Sequence, residues 1–141
     1  RVVAVDVGHG QLDPRLAADP RVVSHEGTDA RSITLETTGG LVAAVTADLS
    51  FISLSKALGP SLDVAGPGAW LVALVKPQFE VGREGVGKGG IVRDAALRER
   101  AVEAVEAWLA DRGWHVVGRI PSPISGGSGN VEFLVGALKR G

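Results

Sequence analysis

The chain has 141 residues, 45% of them hydrophobic and 22% charged, which suits one domain built around one core. A net charge of −1 excludes a strongly basic nucleic-acid module, and the absence of cysteine excludes a disulfide framework and thiolate chemistry. Aromatic residues are only 4% of the chain, with no tyrosine, which speaks against a nucleic-acid surface of stacked rings.

Residues 2–7 are apolar and β-branched and run into Gly8-His9-Gly10, the pattern of a buried strand entering a tight turn. Asp6 stands at the end of that strand, where nucleotide-binding folds grip ribose hydroxyls; a turn-forming aspartate is the simpler alternative. Asp13-Pro14 opens a short helix over 15–18, which Asp19-Pro20 closes. A short strand over 21–24 follows, with Asp29 in the polar segment behind it, and Gly39-Gly40 marks a turn.

Residues 41–48, Leu-Val-Ala-Ala-Val-Thr-Ala-Asp, form the next buried strand, ending on Asp48. Three carboxylates at successive strand ends point to one cleft. Residues 51–58 suit a short helix ended by Gly59-Pro60. The run Leu71-Val72-Ala73-Leu74-Val75 is short and lacks polar alternation, so it reads as a strand buried on both faces, as in parallel sheets. It stops on Lys76-Pro77, which puts a lysine where open α/β sheets place their ligands.

A glycine-rich charged loop leads to the clearest helix, over 94–112, with Asp94 as N-cap and Gly113 closing it. Its apolar stripe is Leu97, Ala101, Val105, Trp108 and Leu109. A strand over 114–120, a turn-rich loop over 121–130 and a last strand over 131–138, with Glu132 near its start, form an antiparallel hairpin at one edge. Strands alternating with helical stretches predict an α/β fold with a mostly parallel sheet.

No paired histidine or cysteine offers a transition-metal site, so no metal is expected, and no G-x-S-x-G elbow or G-x-x-x-x-G-K-[ST] phosphate loop occurs. The remaining candidates for chemistry are Asp6, Asp29, Asp48, Lys76 and Glu132. Asp48, Lys76 and Glu132 could form an acid–base cluster, and structural ion pairs would look the same in sequence.

The segments Asp6-Val7-Gly8-His9-Gly10-Gln11-Leu12, Ala47-Asp48-Leu49-Ser50-Phe51-Ile52-Ser53-Leu54 and Val75-Lys76-Pro77-Gln78-Phe79-Glu80 occur in order. Together with Val86-Gly87-Lys88-Gly89-Gly90-Ile91-Val92-Arg93-Asp94, Ser122-Pro123-Ile124 and Gly129-Asn130-Val131-Glu132-Phe133-Leu134, they resemble the TlyA family across the whole chain. Its members are hemolysin-named ribosomal RNA methyltransferases with an FtsJ-like, Rossmann-like catalytic domain that uses S-adenosylmethionine.

The resemblance implies methyl transfer to a cytidine ribose 2′-OH in ribosomal RNA. It implies Asp48, Lys76 and Glu132 as catalytic residues, and Asp6 (ribose), Asp29 (adenine) and Asp48 (methionine moiety) as cofactor-binding residues. Arg83, Lys88 and Arg93 outnumber Glu80 and Glu84 in the glycine-rich loop, which is expected to close over the RNA backbone.

The family's first lysine, its glycine-rich cofactor loop and its N-terminal RNA-binding domain have no counterpart here. Residues 1–141 are therefore expected to be a partial FtsJ-like domain, with the central strand between those of Asp6 and Asp48 absent and two sheet edges left open. Arg1, inside an apolar run, fits that expectation. No apolar run nears the ~20 residues of a membrane span, so a cytoplasmic location and no membrane partner are expected. Competing readings are a non-catalytic RNA-binding or ribosome-assembly factor and a membrane-active hemolysin. For the latter, the mixed-charge face of the 94–112 helix offers no basic amphipathic surface.

Overall fold

A computed structural model describes residues 1–126 and 129–141; Gly127 and Ser128, within the loop expected over 121–130, lie outside the described residues. The element order is β1 (Val2–Val5), α1 (Pro14–Ala17), β2 (Val22–His25), α2 (Leu35–Thr38), β3 (Val42–Ala47), α3 (Leu54–Ala57), α4 (Gly59–Asp63), β4 (Ala65–Val75), α5 (Ala95–Asp111), β5 (Trp114–Pro121) and β6 (Phe133–Lys139).

Among the described residues the strands form two sheets. β1 and β2 pair in parallel, and the other sheet has the order β3-β4-β6-β5. β3 and β4 are parallel, whereas β6 runs antiparallel to both β4 and β5. The antiparallel hairpin is thus present, and its second strand inserts next to β4. The single mostly parallel sheet is instead divided between β1 and β3. A groove of about 650 Å³ separates those two strands, lined from both sides by residues such as Val3, Val5, Val45 and Asp48.

The core belongs to the four-stranded sheet and its helices. Leu54, Leu58, Leu62, Leu71, Val75, Val102, Val105, Leu109, Trp114 and Val135 are buried together, and each such side chain is worth roughly 1.5–3 kcal/mol in burial. α5 starts where expected because the Asp94 carboxylate accepts from the Ala96 N–H at 2.8 Å. Its buried face includes Val102, whereas Trp108 packs only at the rim beneath Arg112.

Beyond the later starts of α3 at Leu54 and of β6 at Phe133, two boundaries differ from expectation for local reasons. Gly59-Pro60 does not end helical structure: Pro60 lies in the first turn of α4, where its missing N–H has no partner to lose. β4 begins six residues early, because Gly66-Pro67-Gly68 is extruded between the pairs Val42–Ala65 and Ala44–Trp70, leaving the ladder intact on either side.

Candidate active site

The C-terminal end of β4 supplies the centre of the site. Pro77–Phe79 is a single 3₁₀ turn with Lys76 before it and Glu80 after it. Three residues per turn fan the side chains at 76, 78 and 80 about 120° apart, where a strand would have put all three on one face. Each reaches a different element.

Lys76 turns to β3. Its Nζ lies 2.7 Å from Asp48 Oδ1 and 3.0 Å from Ser50 Oγ. The lysine is sunk, with 13% of its side chain exposed, while Asp48 at the strand mouth is 71% exposed. Gln78 turns toward β6 and donates from Nε2 to Glu132 Oε2 at 2.9 Å. Glu80 turns to α3, accepting from the Ser53 hydroxyl at 2.7 Å and the Leu54 N–H at 2.9 Å. Burial pushes the Glu80 carboxyl above its ordinary range, and its two donors pull it partly back. Glu80 therefore contributes most to stability when protonated; that contribution falls as pH rises past 4.5 and levels off above the raised value.

The expected cluster is thus partly assembled. Lys76 and Asp48 are joined, but among the described residues no ion pair links Lys76 to Glu132. Glu132 precedes β6, is 4% exposed, and is held by Gln78. Gly126 lies so close that a Cβ there would overlap the Glu132 carboxylate.

On the other side of the groove, Asp6 closes its turn by accepting from the Gly8 N–H at 2.8 Å. It lines a 120 Å³ pocket with Gly8, Gln11, Leu12, Ser24 and Glu26. Glu26, unremarked in the sequence, accepts from the Gly10 N–H and faces His9. Asp29 lines neither this pocket nor the groove. It caps a 3₁₀ turn at Ala30–Ser32, and its bonds to the Arg31 guanidinium and N–H hold its carboxyl down at about 2.

Arg83, Lys88 and Arg93 lie exposed in the glycine-rich loop. That loop has more internal order than its composition suggests. It contains a 3₁₀ turn at Arg83–Gly85 and a tight turn at Lys88–Gly90 in which Gly89 takes a left-handed φ of 77°, and Arg93 donates to the Lys88 carbonyl. Asn130 staples it from across the site, accepting from the Val92 N–H and donating to the Gly90 carbonyl.

Phe51 lies outside the helix expected over 51–58, because α3 begins only at Leu54. It adopts φ 64°, a left-handed conformation that costs a bulky residue about 1–2 kcal/mol, and is 89% exposed. Its ring meets Phe79 at 5.1 Å between centroids.

The family model for FtsJ-like methyltransferases matches residues 1–139. The chain belongs to the FtsJ-like methyltransferase family. It is 53% identical over 134 residues to the 16S/23S rRNA (cytidine-2′-O)-methyltransferase TlyA of Mycobacterium tuberculosis, covering 95% of this chain and 50% of that protein. It is 41% identical to Hemolysin A of Brachyspira hyodysenteriae, covering 95% and 56%. The chain spans about half the length of the curated relatives it matches.

A hemolysin-named protein of Streptococcus thermophilus superposes with a TM-score of 0.92 at 44% identity, over 98% of this chain and 50% of that one. The N-methyltransferase NodS of Bradyrhizobium japonicum, solved with S-adenosyl-L-homocysteine, gives 0.64 at 18% identity over 99% and 66%, which speaks for the fold alone. The FtsJ-like assignment and the resemblance to TlyA are both borne out, as is the methyltransferase fold.

Proposed function

We propose that the full-length protein methylates a cytidine ribose 2′-OH of ribosomal RNA with S-adenosylmethionine, and that residues 1–141 are part of its catalytic domain. The observation that carries this reading is the sunken Lys76 held by Asp48 at the C-terminal end of β4 in an FtsJ-like chain.

The residues near Asp6 fit part of such a cofactor. A 120 Å³ pocket is well below the ~300 Å³ of a whole small-molecule site but suits a ribose, with the Asp6 and Glu26 carboxylates as acceptors for its hydroxyls. Asp48, at the other wall of the groove, is the residue we propose for the methionine moiety. For Asp29, which lines neither the pocket nor the groove and is paired with Arg31, the adenine role rests on the family resemblance alone. When bound, the cofactor supplies an electrophilic methyl group.

Lys76 has three N–H donors, and two go to Asp48 and Ser50. The third is left for the substrate oxygen, where it stabilises the developing alkoxide as the ribose proton passes to solvent water and the oxygen takes up the methyl group. Asp48 fixes the direction of that ammonium, and Glu132 supplies a second carboxylate on the far side of the turn. Phe51 offers an exposed ring face to a base, a contact worth about 1–3 kcal/mol. One exposed ring at the site does what the scarcity of aromatics ruled out for a broad surface. Arg83, Lys88 and Arg93 approach the phosphates from the loop.

The described residues contain no helix long and apolar enough to cross a membrane. The test is transfer of a tritiated methyl group from S-adenosylmethionine to ribosomal RNA by the full-length protein, with the product mapped by resistance of the phosphodiester to alkali. Label at one cytidine ribose is expected; label on a base, or none, overturns the reading.

A further inference from the structure

We infer that Gln78 is the positioning residue for Glu132, its side-chain amide setting the direction of that carboxylate toward the reacting hydroxyl. The inference rests on the catalytic part proposed for Glu132 and deepens it.

Three observations carry it. The Gln78 Nε2 to Glu132 Oε2 bond of 2.9 Å joins residues 54 positions apart, on the turn after β4 and just before β6. Gln78 Oε1 is buried without a partner among the described residues. Reversing the amide would set that oxygen against the carboxylate, so the charge of Glu132 selects the orientation seen, and one buried acceptor stays unpaired as its cost. Finally, Gly126 leaves space at the carboxylate that no other residue would leave.

A residue present only to fill the core would not carry an orphaned amide oxygen, because methionine has the same length and no polar atom to strand. The 3₁₀ turn thereby gives each carboxylate its own holder. Lys76 takes Asp48, and Gln78 takes Glu132.

The experiment is a double-mutant cycle on the full-length protein with Gln78→Met and Glu132→Gln, read as methyl transfer to ribosomal RNA. Gln78→Met is expected to lower kcat ~100-fold, the cost of a small misplacement of a reacting group, with KM for RNA and for S-adenosylmethionine within about twofold. In the Glu132→Gln background the same change is expected to cost less than about threefold more, since it has no carboxylate left to aim.

Wild-type kcat in Gln78→Met, or losses that multiply in the double variant, overturn the inference while leaving Glu132 its part. Undiminished turnover in Glu132→Gln removes that part and the inference with it. If Gln78→Met does not fold, Gln78→Leu makes the same test, keeping most of the volume and removing the donor. A loss of kcat at least as large is then expected, and full activity overturns the inference.

Discussion

The two sheets hold their charged residues in opposite ways. In the two-stranded half, every aspartate finds its partner two residues along: Asp6 with Gly8, Asp13 with Arg15, Asp19 with Arg21 and Asp29 with Arg31. Around Lys76, the partners of Lys76, Gln78 and Glu80 lie 26 to 54 positions away. The apolar core is similarly skewed, its first buried member being Leu54. Local bonds form in a short peptide and add little to the fold, whereas long-range bonds exist only once the fold does. The groups proposed for catalysis are therefore set by tertiary structure, whereas Asp6 and Asp29 are set by their own turns.

The largest effect should follow from breaking the long-range side. Lys76→Ala is expected to lower methyl transfer by about 10²–10⁴-fold, with RNA affinity in filter binding little changed. A normal rate would end the assignment of Lys76. Gly126→Ala is next, because its Cβ overlaps the Glu132 carboxylate. Turnover should drop ~100-fold while calorimetry shows unchanged cofactor affinity, and a fully active variant would show that Glu132 has room to move.

On the local side, Asp6→Ala should weaken S-adenosylmethionine binding about 10–100-fold, the worth of hydrogen bonds to a charged group, without altering the melting temperature appreciably. An unaffected dissociation constant would move the ribose site elsewhere. The smallest effect concerns Asp29. Its carboxyl, held at about 2 by Arg31, gains from that pairing above 3.8 and loses the gain as pH falls through about 2. A carboxyl titration by NMR should show this midpoint, and Arg31→Ala should return it toward 3.8; a midpoint near 4 with Arg31 intact would mean that the pair does not persist in solution.

Much of the framework was legible because it is written in local pattern. α5 combines a capping aspartate with apolar spacing of three and four, and its two ends fell within one residue of expectation. The abrupt stop of an apolar run at Lys76 marked the site, although the strand is not buried on both faces as expected: Leu71, Ala73 and Val75 are buried, while Trp70 and Val72 on the other face are exposed. What was not legible depends on geometry between distant segments. Reading 76–80 as alternation puts Gln78 and Glu80 beside Lys76, and only the 3₁₀ turn sends them to β6 and α3. Phe51 gave no sign either, because nothing in its neighbours announces a left-handed backbone. Gly59-Pro60 carries two opposite meanings, helix stop and helix start, and packing of Leu58 and Leu62 into one core chose the second.

The groove between β1 and β3 has a kinetic consequence. β4 and β6 are bonded on both flanks, whereas β1 and β3 are each bonded on one. Along β1 and β3, alternate amides therefore point at the groove and should exchange with deuterium at rates close to those of a solvated loop, while their neighbours one residue away are slow. Such a two-beat pattern of exchange along Val42–Ala47 would measure, amide by amide, how open that edge is in solution, and anything that settles into the groove as a strand would silence it.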